Sequence, residues 1–288
     1  DKLSSDGNRE FWDEVRRVRA TGNTCTNVID NAVGENDICN LFASKYEDLY
    51  KSVSFNKNDM DVLMCDVNNS VDSMCCTGEC YSNHCISFED VKKAVSKLKR
   101  SKPDADPGLF SDHFINAPHE LFIHLSLLLT CMLRHQNAPK ESLLSVLRPI
   151  PKNKNKSMNQ SSNYRSIAIS SVLLKLLDNV ILHKHSHVLS TSDLQFGFKP
   201  KHSTTQCTFV VNQVVEYYSS HGSSVYVTLL DASQAFDRVN YVRLFRLLLH
   251  RGLCPLLIKF ILHMYTLQSL VVNWQGKTSA TFECRNGI

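Results

Sequence analysis

Long apolar runs are missing from this 288-residue sequence. The richest stretch, Leu121 to Leu133, is interrupted by His124, Ser126 and Thr130, too short and too polar to span a bilayer. The first thirty residues stay polar and hold no apolar segment of a secretory signal. A phosphate-binding P-loop, a dinucleotide fingerprint and an HExxH pair are all absent, which excludes the enzyme classes built on them. No internal repeat is visible, so a solenoid is excluded as well. Charge is slightly scarce at 21%, while an apolar share of 43% is ordinary and predicts a packed core.

The modest net charge of +4 is unevenly placed. Between Arg148 and His202 lie nine Lys/Arg against Asp178 and Asp193, a local +7 that leaves −3 for the rest of the chain. One basic patch on a slightly acidic protein is the footprint of a polyanionic partner. Eleven cysteines, an odd number spread from Cys25 to Cys284 with no signal ahead of them, read as free thiols in a reducing, intracellular compartment. Four thiols and an imidazole crowd Cys75 to Cys85, enough ligands for zinc. Their spacing is not that of a standard zinc module, and reduced loop cysteines are the default reading. His183, His185 and His187 fit a helix end.

Periodicity predicts helices over 8–20 and 35–50, the second with Ile38, Leu41, Phe42, Tyr46 and Leu49 near helical spacing. From Phe55 to His84 the pattern dissolves into Asn, Asp, Ser and Cys, which predicts a linker and divides the chain into a helical region 1–85 and a main domain 86–288. Ser87 with Asp90 matches a capping box before the apolar face of Val91, Val95 and Leu98. A Pro/Asp/Gly loop (103–108) leads to a helix over 117–136. Strands at 144–150 and 164–169, joined by a polar basic loop, predict a hairpin. Ser170 caps a helix to about Leu189, and Ser203 with Gln206 opens another to about Ser219. The unbroken run Val225 to Leu230 predicts a strand buried on both faces, ending in Asp231. Helices at 240–250 and 255–267 and strands at 269–275 and 279–284 follow. The interleaving without strict βαβ order predicts an α+β fold.

A carboxylate at the end of a buried strand is rigidly held, as metal-assisted phosphoryl transfer requires, but an Asp there is also a common helix N-cap. Lys152 and Arg165 flank the hairpin's apolar strands, where a cation is better positioned for phosphate than Lys154 or Lys156 in the loop. Phe196, Gly197, Phe198, Lys199 and Lys201 combine stacking faces with phosphate-tracking charges. The same two aromatics read equally well as core, with Gly197 turning the chain.

Four blocks then carry a resemblance: Leu147-Arg-Pro-Ile-Pro-Lys152, Asn163-Tyr-Arg165-Ser-Ile-Ala-Ile169, Leu194-Gln-Phe-Gly-Phe-Lys-Pro-Lys-His-Ser-Thr204 and Leu230-Asp231-Ala-Ser-Gln-Ala-Phe236-Asp237-Arg-Val239. In order and spacing they resemble the successive blocks of a LINE-type (non-LTR) retrotransposon reverse transcriptase. The resemblance implies a partial right-hand polymerase, fingers and the start of the palm, preceded by a helical linker. It implies RNA-directed DNA synthesis with an RNA template, a DNA primer, dNTPs and two Mg²⁺ ions. Asp231 would be a metal ligand with the Ala232 carbonyl beside it. Phe236 would crowd the ribose 2′ carbon, a helix residue facing the core being its other reading. Lys152 and Arg165 would neutralise the triphosphate, and Asp237 would be structural support. Cytoplasmic and nuclear residence is implied too.

The family continues with an Arg-Gln-Gly segment and a Tyr-Ala-Asp-Asp-type turn bearing two further carboxylates. Neither occurs before Ile288, so this stretch alone is expected to be inactive unless a C-terminal complement completes the site. A non-catalytic RNA-binding remnant is the rival expectation. A third is a fossil gene product left unstable by an unpaired sheet edge.

Overall fold

The computed structural model describes residues 26–54, 56–75 and 84–287. The helix expected at 8–20 lies outside them. After a small β1–β2 ribbon (Val28–Ile29, Ala32–Val33), α1 spans Glu35–Leu49 and α2 Lys57–Met74. The helices α3 (Phe88–Ser96), α4 (Ser111–Ile115) and α5 (His119–His135) precede the hairpin of β3 (Leu144–Pro151) and β4 (Tyr164–Ile169). Then come α6 (Val172–Lys184), α7 (Thr204–Ser220), α8 (Tyr241–His250) and α9 (Pro255–Leu267). Three short strands follow: β5 (Ser269–Trp274), β6 (Lys277–Thr278) and β7 (Phe282–Glu283). The fold is α+β, as the sequence predicts.

The sheet runs β4-β3-β5-β6, with β7 also on β5. β3 and β4 are antiparallel with Ile150 opposite Arg165, whereas β3 and β5 are parallel. A parallel pair needs a long crossover, here the helices α6 to α9. One core sits between the sheet and α1, where Phe42 is fully buried with its ring 5.2 Å from both Tyr164 and Trp274. The other joins α2, α3, α5, α6, α8 and α9 around Leu63, Leu129, Leu176, Phe245 and Ile258. Both predicted capping boxes form, at Ser87/Asp90 and Ser203/Gln206.

Two expectations fail. The stretch 55–84 is not a linker throughout, because α2 occupies Lys57–Met74, capped by the Asn56 side chain. Its buried stripe of Met60, Leu63 and Val67 does have helical spacing, but the surrounding Asn, Asp and Ser hide it. The strand expected at 225–230 does not form. These residues run as coil, with Tyr226 93%, Leu229 90% and Leu230 94% exposed. A strand buried on both faces needs lateral neighbours for its backbone groups, and no strand of the sheet pairs with this segment. Smaller differences are that Ser171, not Ser170, caps α6, and that α6 ends at Lys184.

Candidate functional site

The β-hairpin is the most firmly positioned part of the predicted site. Arg148 pairs with Ile167 and Ile150 with Arg165, so the two arginines share one face of the ribbon and both are exposed. The opposite face carries Leu147 and Tyr164, buried against α1. Lys152 continues the ladder, its backbone N–H donating to Asn163 O at 2.7 Å, and its exposed ammonium donates to Ser162 O at 3.0 Å.

Asn163 folds the loop behind these cations. Its amide donates to Asn153 O and Ser157 O at 2.9 and 3.2 Å, while the Tyr164 hydroxyl donates to Met158 O at 2.9 Å. From the other side, Lys45 of α1 donates to Ser161 O at 2.5 Å, and Asp30 accepts from the Ser161 N–H at 3.1 Å. Burial first, and Lys152 to a smaller degree, pull the Lys45 ammonium below its usual pKa, whereas Asp30 opposes them. Hydrogen bonds from Ser161 hold the Asp30 carboxyl below its usual range. The loop is therefore braced by α1 and the β1–β2 turn. On the arginine face, a cleft of about 430 Å³ runs between the sheet and the 103–110 loop, lined by Arg148, Val146, Ile169 and Val271. Arg148 belongs to this surface, although sequence reasoning counted it only as net charge.

The remaining predicted residues form a second, looser group. Phe198 meets Phe236 edge-on at 5.5 Å, and both rings are largely exposed, so neither is core. Phe196 is half-buried with its ring 5.8 Å from His202. The Lys199 ammonium pairs with Asp193 at 3.1 Å, and Lys201 and Gly197 are exposed. Phe198, Lys201 and Gln234 all take positive φ, which costs a non-glycine residue about 1 kcal/mol or more. Asp231 and Ala232 are exposed in the coil that replaces the expected strand.

One end of that coil is fixed. Asp237 accepts a hydrogen bond from the Tyr50 hydroxyl at 3.2 Å, and the same hydroxyl stands 3.5 Å from Ser166 Oγ on β4. Fully buried Asn286 donates to Asp237 O at 2.7 Å and to Leu49 O at 3.0 Å. Gly287, at φ 87°, lies so close that a Cβ would meet Asp237 O at 2.7 Å. Tyr50 and Asn286 thus tie the Phe-Asp turn to the hairpin. Sequence reasoning missed both, because a tyrosine after a helix and a terminal asparagine carry no motif.

Residues 150–287, which include every site residue expected from the sequence but not Arg148, Asp30, Lys45 or Tyr50, match the family model for reverse transcriptase (RNA-dependent DNA polymerase). The chain is 25% identical over 260 residues to the RNA-directed DNA polymerase from mobile element jockey of Drosophila funebris, covering 83% of the chain and 26% of that protein. It is 24% identical over 204 residues to the Retrovirus-related Pol polyprotein from type-2 retrotransposable element R2DM of Drosophila melanogaster, covering 70% and 18%. Over residues 150–287 the chain resembles a reverse transcriptase of the LINE (non-LTR) type. A probable RNA-directed DNA polymerase from transposon BS of Drosophila melanogaster matches too, at 27% over 163 residues, 54% of the chain and 17% of that protein. The chain spans about a quarter or less of the length of these relatives. Its α+β architecture is consistent with reverse-transcriptase fingers and the start of the palm.

Reverse transcriptases use divalent metal ions. The carboxylates placed here do not fit a two-ion site: Asp231 stands alone in exposed coil, and Asp237 is engaged by Tyr50. Among the described residues, the one group of three converging metal-type donors lies elsewhere, at Cys75, His84 and Cys254. No helix among them is long and apolar enough to cross a membrane.

Proposed function

We propose that this chain forms the fingers and early palm of an RNA-directed DNA polymerase of a LINE-type retrotransposon, working on an RNA template, a DNA primer and dNTPs. The observation that carries this reading is the braced hairpin, which presents Arg148, Lys152 and Arg165 to solvent beside a cleft. Arginine forks and a lysine point charge on a rigid ribbon suit triphosphate oxygens or a nucleic-acid backbone, where positioning and charge neutralisation supply most of the catalysis. Phe196, Gly197, Phe198, Lys199 and Lys201 serve as a separate stacking and phosphate-tracking platform. Phe236 guards the sugar of the incoming nucleotide beside the Ala232 carbonyl, and Asp231 supplies one carboxylate toward Mg²⁺. Other groups must complete that metal site, so residues 1–288 by themselves bind without extending. The free thiols of Cys39, Cys65, Cys131, Cys207 and Cys284 support work in a reducing compartment, cytoplasmic and nuclear.

The exposed position of Asp231 favours a second reading, a sequence-blind RNA-binding protein without chemistry. The test is retention and extension of a poly(rA)/oligo(dT) duplex with Mg²⁺ and dTTP, comparing the chain with Asp231→Ala. We expect both to retain the duplex and neither to extend it. Failure to retain it would overturn the functional reading. Retention of RNA alone in preference to the primed duplex would favour the second one. Extension that disappears in Asp231→Ala would overturn the claim that the metal site is incomplete.

A further inference from the structure

Two metal-type donors nine residues apart, Cys75 and His84, meet a third, Cys254, from about 170 residues further along the chain. Cys75 is the C-cap residue of α2, Cys254 is the N-cap residue of α9, and His84 leads into α3. Their ligand atoms all lie within 4.8 Å of one another. Cys75 Sγ and Cys254 Sγ are 3.8 Å apart, and His84 Nε2 is 2.8 Å from Cys254 Sγ. We propose that Cys75, His84 and Cys254 supply three of the four ligands of a structural zinc ion that joins the end of α2 to the start of α9.

The donor set decides the metal. Two sulfurs and an imidazole nitrogen suit zinc, whereas Mg²⁺ and Ca²⁺ demand oxygen ligands. A tetrahedral ion with Zn–S bonds of about 2.3 Å places its sulfurs roughly 3.8 Å apart, which is the separation observed. The shorter Cys254–His84 distance is that of a hydrogen bond, and it would open by about 0.7 Å to admit the ion. A disulfide would need the sulfurs at about 2.05 Å, far closer than they are.

Location argues for a structural role. Cys75 and His84 are each only 3% exposed, so a substrate has no approach to them. Arg134 donates to Cys85 Sγ at 2.7 Å and Lys184 to Cys85 O at 2.7 Å, so the neighbourhood is cationic. Two thiolates cancel the charge of a zinc ion, and the assembled site adds no net positive charge beside those side chains. Cys254 also occupies a helix N-terminus, where the macrodipole favours negative charge. The ion would anchor helices of the larger core that carry no part of the basic hairpin.

The test is metal analysis of the whole chain purified under reducing conditions, followed by replacement with Co²⁺. We expect about one zinc per chain, a tetrahedral cobalt spectrum with thiolate-to-metal charge transfer, and a melting temperature lowered by chelator. Cys254→Ser and His84→Asn should each weaken metal binding at least tenfold, while the exposed-site controls Cys131→Ser and Cys207→Ser leave it unchanged. The wild-type cobalt spectrum and chelator response stand even if a ligand variant fails to fold. A wild-type chain without thiolate–cobalt charge transfer would overturn the proposal, as would full affinity in Cys254→Ser and His84→Asn, or a Cys75–Cys254 disulfide in the reduced preparation.

Discussion

The Tyr50 hydroxyl donates to the Asp237 carboxylate at 3.2 Å while standing 3.5 Å from Ser166 on β4. Through this contact the residue that ends α1 links the Phe-Asp turn to the strand that carries Arg165. Tyr50→Phe removes the donor but keeps the ring, so we expect a loss of about 1.5–3 kcal/mol, typical of a hydrogen bond to a charged group. Urea unfolding measures it, and an unchanged midpoint would mean that the contact contributes nothing.

Asn286 should matter more. Its side chain donates to Leu49 O and Asp237 O and accepts from the Val53 N–H, all from a fully buried position. Asn286→Ala leaves those backbone groups without their partner, at about 1–3 kcal/mol for each buried group stranded. We expect a larger loss than for Tyr50→Phe in the same unfolding experiment. Gly287→Ala should also destabilise, since the new Cβ would meet Asp237 O at 2.7 Å.

Alkaline pH should unfold the protein through its buried phenols. Burial first, with nearby acidic groups, raises the pKa of Tyr50 to about 12, and that of Tyr265 also to about 12. Tyr46 and Tyr241 are raised as well, chiefly by burial. The unfolded chain ionises these groups near pH 10, before the folded one does, so stability present below pH 10 is lost as pH rises toward 12. Ultraviolet titration should show these four phenols ionising together with unfolding. Their smooth ionisation near pH 10 in the folded protein would contradict the packing.

The exposed coil makes a contrasting forecast. Leu229→Lys and Leu230→Lys change side chains 90% and 94% exposed, so each should shift stability by no more than about 0.5 kcal/mol. Phe42→Ala, which empties a fully buried aromatic site between α1 and the sheet, should cost about 3–5 kcal/mol. Comparable losses from all three would place the 225–230 segment in a core.

What the sequence disclosed follows the range over which each signal acts. The Ser87/Asp90 and Ser203/Gln206 boxes are local and formed as predicted, and the 144–150 and 164–169 hairpin is nearly so. The α2 stripe was legible only to a reader who discounted its polar residues. The strand at 225–230 failed because six residues of mostly β-branched or apolar character show what needs covering but not whether lateral partners are present. Lys152 and Arg165 were singled out by position beside apolar strands, while Arg148 joins the face of Arg165 only through the cross-strand register. Tyr50, Asn286 and Cys254 act on groups about 50 to 240 residues away, a distance no local pattern encodes.

The measurement that tests the central claim most directly is the salt dependence of primer–template binding, followed by fluorescence anisotropy, for the chain and for Arg148→Ala, Lys152→Ala and Arg165→Ala. We expect each variant to weaken binding regardless of sequence and to reduce the log–log salt slope by about one, as a lost phosphate contact does. Unchanged affinity and slope in all three variants would contradict the assignment of the hairpin face as the phosphate-binding surface.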